Sequence, residues 1–329
     1  MIKNMIKFSI IVPCYNSAKF LSTCVKGFQN QKFGKDKYEV IFIDDCSTDD
    51  TLNILYRYDK NTDFSYRVIK NKINSGPGFS RYYAATQAKG EYLCFCDSDD
   101  WLDPNFLSDI NNELDRSGSD IVFFDMTYQM KNKNIRKCST SYFKYADKLS
   151  YLANYTESLC NLVVRCSLFL SVPQIDIRNG EDLALVPLLI FNARKITHID
   201  KIYYHYVMRN DSASLGRIPI NAYNNMILAF GHICKNLNVV NDEVQKCIEY
   251  IGIRTILYNA TFMAIKGGND NSSLKNIVTD FSKKYPNWWD NKYKCRMGFV
   301  KNNYLWFLKN HFWIFCRAFV FLHSFFLKH

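Results

Sequence analysis

Within residues 8–100 a short apolar run gives way to a helix-like segment again and again, and this rhythm restricts the fold more than any other property of the chain. Phe8–Val12 is a β-branched run closed by Pro13, followed by a helical pattern from about Ala18 to Gln29. Glu39–Ile43 is closed by Asp44-Asp45, and Ser47 with Asp50 resembles a capping box opening a helix to about Tyr58. Tyr66–Lys70 is a third strand, Gly76–Gly78 a tight loop, Ser80–Ala88 a helix, and Tyr92–Cys96 a fourth strand that runs into Asp97-Ser98-Asp99-Asp100. Strands alternating with helices return to the same edge in the same direction, so the expected class is α/β, with a mostly parallel sheet flanked by helices. Ligands of such sheets collect beyond the carboxyl ends of the strands, here Pro13–Asn16, Asp44-Asp45, Asn71–Gly78 and Asp97–Asp100.

Composition narrows the class further. Apolar residues make up 48% and charged residues 22% of the 329, which excludes a disordered chain or a collagen-like fibre. The twelve cysteines are scattered without a C-x-x-C pair in a chain too long to need stapling, so reduced thiols and a cytoplasmic location are expected. The apolar run before Pro13 is about five residues long, too short for a signal peptide. Further along, Ile121–Asp125 reads as a fifth strand and Lys131–Lys137 as an exposed basic turn. An apolar segment from Asn161 to Val172 passes Arg165, Asn179–Asp182 opens a helix over Leu183–Phe191, and Ile202–Val207 is a late strand. Beyond about Ile220 the pattern is helical, with no internal repeat.

Several residues at these strand ends carry chemistry. Asp97 and Asp99, at i and i+2 after a buried strand, can face one hard divalent cation; Mg²⁺ and Mn²⁺ take few carboxylates and complete their shell with phosphate oxygens. Asp103, followed by Pro104, is a better helix cap than ligand. The Asp44-Asp45 pair reads either as an acceptor for a base N–H or ribose hydroxyl, or as turn residues bonded to their own backbone. Arg81 is placed to meet a diphosphate or base, the alternative being a solvated helix arginine. Tyr15 stacks on a base or fills the core. Glu181-Asp182 reads as an acidic helix start favoured by the dipole or as a functional pair, and His205 as a metal ligand or a hydrogen-bonded core histidine.

Taken in order, SIIVPCYN at 9–16, EVIFIDDCSTDDT at 39–51, NSGPGFSR at 74–81, GEYLCFCDSDDWLDP at 90–104 and GED at 180–182 resemble the family 2 inverting glycosyltransferases of GT-A fold, over roughly residues 6–214. The resemblance implies a Rossmann-like catalytic domain over 1–215, with a nucleotide-sugar half to about 104 and an acceptor half from about 105, and a helical extension over 216–329. It implies that Pro13 and Tyr15 line a uracil pocket, that Asp45 bonds the base and that Arg81 reaches the nucleotide. Asp97 and Asp99 match the acids that hold ribose and metal–diphosphate, with Asp100 sharing that duty; which of the three touches the ion stays open. Asp182 matches the proposed general base, beside Glu181 on the acceptor side. Arg209 and Ser212 fit a basic loop over the diphosphate, although Val207 stands where an arginine is frequent. The implied reaction is transfer of a sugar from a nucleoside diphosphate, UDP foremost, with Mg²⁺ or Mn²⁺. The implied acceptor is a glycan or a polyprenyl-diphosphate-linked chain of cell-surface polysaccharide synthesis. The rivals are a sugar-phosphate nucleotidyltransferase, whose glycine-rich basic loop VPCYNSAKF lacks, and a non-catalytic nucleotide- or glycan-binding protein.

The chain's formal charge of +11 is concentrated at its end, where residues 271–329 hold ten Lys or Arg against two Asp or Glu. Drawn as one helix, 303–328 has a narrow polar arc and a wide aromatic one. Lys309, Arg317 and His323 interrupt it too often for a membrane span. The expectation is a helix lying on the anionic inner face of the cell membrane, the alternative a helix packed on protein, with no nucleic-acid-binding module.

Overall fold

The computed structural model describes residues 6–58, 62–129, 135–138, 147–154, 158–208 and 219–328. Arg209, Ser212 and residues 131–134 of the expected basic turn lie outside them. The chain divides into two compact units, residues 1–148 with 154–212 and residues 149–153 with 213–329.

The first unit is a sheet with helices. Its strands are β1 (Phe8–Cys14), β2 (Tyr38–Asp44), β3 (Ser65–Lys70), β4 (Tyr92–Phe95), β5 (Trp101–Leu102), β6 (Ile121–Gln129), β7 (Ile135–Cys138), β8 (Leu162–Arg165) and β9 (Ile196–Val207). Between them run α1 (Leu21–Gln29), α2 (Thr51–Tyr58), α3 (Gly76–Thr86), α4 (Phe106–Ser117), α5 (Lys148–Asn154), α6 (Cys166–Ser171) and α7 (Glu181–Asn192), of which α5 belongs through residues 149–153 to the second unit. The order is β3-β2-β1-β4-β8-β6-β9-β5, with β7 beside β6. From β3 to β4 every pairing is parallel, and antiparallel pairing begins where β8 joins β4. Every residue of β1 and β2 is buried, as a parallel strand covered on both faces requires. Each such Ile or Val contributes about 1.5–3 kcal/mol relative to exposure.

Three features differ from the sequence reading. Ile135–Lys137 belongs to strand β7, paired antiparallel with β6, because the hairpin partner supplies hydrogen bonds that a local reading of the charges does not reveal. Helix α3 begins at Gly76 rather than Ser80, because the Asp45 carboxylate accepts the Ser75 and Gly76 amides and Pro77 pre-sets the first turn. The two-residue strand β5 pairs antiparallel with β9, Trp101 opposite His205.

The second unit is helical in its described residues: α8 (Tyr223–Asn236), α9 (Asp242–Gly252), a π-helical stretch Ile253–Ala260, α10 (Thr261–Lys266), α11 (Asn271–Lys284), α12 (Gly298–Lys309) and α13 (Trp313–Lys328), with two short 3₁₀ turns. The span expected as one helix over 303–328 is two. The break falls at 310–312, where the Asn310 amide side chain turns back to the Trp306 carbonyl and His311 adopts φ 58°. Tyr304, Leu305, Leu308, Cys316 and Val320 face inward, and Arg317 ties α13 to the start of α11 through the Asn269 carbonyl and Asn271 side chain. The two-helix hairpin therefore packs inside its own unit on one side.

Candidate active site

Strands β2, β1 and β4 are neighbours and parallel, so their carboxyl ends lie along one edge of the sheet. The loops leaving these ends are knitted together. Ser17 and Ser98 share a 2.6 Å hydroxyl contact, the Asn16 side chain accepts the Thr48 amide at 2.8 Å, and Thr51 accepts the Ser17 amide at 2.7 Å. Asn16 and Cys46 hold positive φ, 50° and 62°, where these two loops turn. Pro13 is buried at the end of β1, and the Tyr15 ring beyond it is half exposed.

At the tip of β2 the two aspartates separate. Asp45 accepts the Asn71 side chain at 2.7 Å and the Ser75 amide at 2.9 Å on one oxygen, and the Gly76 amide at 2.7 Å on the other. Both oxygens of the residue expected to bond the base are thus engaged by the loop that starts α3. Asp44 is fully buried, meets the Ser47 amide through Oδ2, and keeps an Oδ1 with no hydrogen-bond partner among the described residues. A buried carboxylate oxygen without a donor costs about 1–3 kcal/mol. The doublet itself was the available signal; the choice between its members was not.

The β4 tip repeats the pattern. Asp100 is buried, accepting the Tyr204 hydroxyl at 2.5 Å and the Val207 amide at 2.7 Å, while the same hydroxyl accepts the Asp97 amide at 3.1 Å. Asp100, expected as an ion ligand, is bonded through both oxygens to β9. Burial, with Asp97 and Asp99 crowding it, pushes its carboxyl up to about 8. Asp99 is half-buried, and Asp97 keeps 35% of its side chain exposed. His205 lies stacked on Trp101 with ring centroids 3.6 Å apart, its Nδ1 3.1 Å from the Thr127 hydroxyl. Its Nε2 is buried without a partner, and burial lowers its proton affinity, leaving a neutral ring atom suited to a ligand.

The acceptor-side pair opens α7. Gly180 adopts φ 95° ahead of the helix, placing Glu181 and Asp182 in its first turn. Arg81 from α3, itself 5% exposed, reaches across to both: Nη1 lies 2.6 Å from Glu181 and 3.5 Å from Asp182, while Nη2 lies 2.7 Å from Asp97. Asp182 also accepts the Leu159 amide at 3.1 Å and keeps a fifth of its side chain exposed (20%). One cation thus faces three acids. Burial and then Asp182 raise the Glu181 carboxyl to about 7, and burial raises Asp182 against the opposing pull of Arg81. Arg81, expected to reach the nucleotide, is held by these three carboxylates. Glu181 can approach only because residue 78 is glycine: a Cβ there would stand 2.9 Å from the Glu181 Cγ.

The donor set around Asp97 fits a hard divalent ion on charge and atom type. Among the described residues no three His, Cys, Asp or Glu side chains close on one point, so such an ion would draw further oxygens from a diphosphate.

Comparison with known proteins agrees with this geometry. Residues 9–170 match the profile of Glycosyl transferase family 2. The chain is 34% identical over 215 residues to the poly(ribitol-phosphate) beta-N-acetylglucosaminyltransferase TarS of Staphylococcus aureus, covering 62% of this chain and 36% of that protein. It is 40% identical over 139 residues to a poly(ribitol-phosphate) beta-glucosyltransferase of Bacillus spizizenii, covering 42% and 21%. The chain therefore spans about a third or less of these two relatives. The crystal structure of S. aureus TarS 1-349 in complex with UDP superposes with a TM-score of 0.72 at 25% identity, covering 98% of this chain and 92% of that one. A sheet edge crowded with aspartates, an acidic pair opening a helix and this likeness point the same way: over residues 9–170 the chain belongs to glycosyl transferase family 2, on a GT-A fold.

Proposed function

We propose that this protein transfers a sugar from a uridine diphosphate donor to a hydroxyl of a cell-surface polymer, a polyol phosphate or a lipid-linked glycan, with inversion at the anomeric carbon. The observation that carries the reading is the meeting on one buried guanidinium of a β4-tip acid with the two acids opening α7. Donor-side and acceptor-side carboxylates then stand within a side chain's reach, as a single displacement needs.

On this reading the uracil ring lies by Pro13 and Tyr15, and its N–H meets the Asp44-Asp45 pair at the tip of β2. Asp97 and Asp99 take the ribose and diphosphate side. Asp97 and Asp99 would hold Mg²⁺ or Mn²⁺ together with diphosphate oxygens, and the ion when bound supplies positive charge to the departing diphosphate. Asp182 accepts the proton of the attacking hydroxyl; its residual exposure gives an acceptor access, and burial raises its proton affinity. A lone base opposite the leaving group gives inversion. Arg209 and Ser212 would close over the diphosphate.

A panel of UDP-sugars with Mn²⁺ and a poly(ribitol phosphate) acceptor tests this: UDP release that depends on acceptor is expected. Release of pyrophosphate from a sugar phosphate and UTP would indicate a nucleotidyltransferase and overturn the reading. UDP bound without turnover on any acceptor would indicate a binding protein.

A second reading concerns the last helices. No acidic residue follows Asp290, while seven Lys or Arg do. Phe299 (81%), Ile314 (80%) and Phe321 (72%) are largely exposed on α12 and α13. Among the described residues no helix is long and apolar enough to cross a membrane. Cations interleaved with exposed aromatics suit the headgroup layer of an anionic bilayer. Co-flotation with phosphatidylglycerol vesicles, lost when Phe299, Ile314 and Phe321 become serine, is expected; unchanged flotation would exclude this surface.

A further inference from the structure

We propose that Arg81 is a positioning residue, which ties the acceptor-side acids Glu181 and Asp182 to the donor-side Asp97, rather than a nucleotide contact. This rests on the transferase reading above and adds a residue to it. Both terminal nitrogens of the guanidinium are engaged, Nη1 at 2.6 Å from Glu181 and 3.5 Å from Asp182, Nη2 at 2.7 Å from Asp97. The side chain is buried, and its Nε has no partner among the described residues. A planar fork can span acids from two loops at once, which a lysine ammonium on a flexible stem does not do.

The approach of Glu181 is built in from both sides. Gly78 and Arg81 lie one turn apart on α3, and a Cβ at 78 would sit 2.9 Å from the Cγ and 3.2 Å from the Cβ of Glu181. The helix thus offers a bare backbone and a cation to the same carboxylate. Asp182 is faced by Glu181 beside it, by Arg81 from α3, by Asp97 from the β4 tip, and by the Leu159 amide and Cys160 thiol. Arg81 is the cation among them. Its removal leaves the acids opposed only by one another, so the base is protonated over a wider range and its carboxylate is no longer aimed.

The test compares wild type with Arg81→Lys, Arg81→Met and Gly78→Ala by three measurements: UDP binding by calorimetry, separate kcat and KM for acceptor-dependent UDP release, and the pH profile of kcat/KM. Gly78→Ala leaves Arg81 in place and displaces only Glu181, so it reports even if Arg81→Met does not fold. The expected result is a fall in kcat of about 10²-fold for misplacement of an acid by an ångström or so, with UDP affinity within about threefold of wild type (under about 0.7 kcal/mol). The acid limb of the profile should move to higher pH in Arg81→Met. UDP affinity lost tenfold or more in Arg81→Lys with kcat retained would overturn the assignment and make Arg81 a nucleotide contact. Full turnover in Gly78→Ala would also overturn it. Failure of the wild-type chain to bind UDP at all would overturn the transferase reading and this inference together.

Discussion

The tips of β2 and β4 carry the same residue type in adjacent positions and use it in opposite ways within each run. Asp45 and Asp100 are bonded through both oxygens to the protein, one holding the start of α3, the other the end of β9. Asp44 keeps an oxygen unmet, and Asp97 keeps a third of its side chain in solvent (35%). Glu181-Asp182 follows suit: Glu181 is 5% exposed against Arg81 and Gly78, while Asp182 is the more open member. Each acidic run thus has a member that builds the loop and another whose hydrogen-bonding capacity the protein leaves partly unused. A carboxylate already surrounded by backbone donors gains little from a ligand, whereas one short of donors gains a full hydrogen bond.

The largest expected effect lies at the acceptor end. Asp182→Asn removes the proposed base and should lower turnover by about 10²–10⁴-fold, with UDP binding retained in calorimetry; unchanged turnover would end the distinction between the two acids of that pair. Next comes the β2 tip. Asp45→Ala removes the acceptor of three donors, the Asn71 side chain and the Ser75 and Gly76 amides, and should lower stability by about 2–3 kcal/mol, read as a melting temperature several degrees lower. Asp44→Asn should leave melting unchanged or slightly raised and weaken UDP about tenfold. If the two substitutions exchange these effects, the division of labour at β2 is reversed.

The smallest effect is a pH dependence. Glu181 titrates at about 7 in the folded protein against an ordinary value of 4.5, because burial and Asp182 disfavour its charge. A raised carboxyl contributes stability that is complete below pH 4.5 and is lost as pH climbs to about 7. Thermal melts across pH 4–8 should therefore fall less steeply in Glu181→Gln than in wild type, by a few degrees at most. Parallel curves would show that Glu181 is charged throughout and that the pair is not coupled through burial.

Local pattern carried most of the first unit. The runs at Phe8, Glu39 and Tyr92 are strands buried on both faces and so mostly apolar, which is visible without partners, whereas the run at Tyr66 is a partly exposed strand at the edge of the sheet. The acids closing them were equally visible as candidates. What their neighbours do was not. Asp100 is bonded to Val207, 107 positions later, and Arg81 to Glu181, 100 positions later. No spacing rule links residues so far apart. The late helices failed differently: the narrow polar arc drawn over 303–328 continues smoothly across 310–312, and only the turn at His311 divides it.

Sequence alone thus determined the alternation of strand and helix, the parallel start of the sheet, the edge where acids gather and the basic, aromatic end of the chain. These follow from short-range terms, namely burial periodicity, turn residues and charge, each read within a few positions. Tertiary structure alone decided which acid of each run is bound to backbone, that Arg81 is enclosed by three carboxylates, and that a missing Cβ at Gly78 lets Glu181 in. Those outcomes depend on distances between loops brought together by strand pairing, and hydrogen bonds and ion pairs are decided over a few ångströms of space, whatever the separation along the chain.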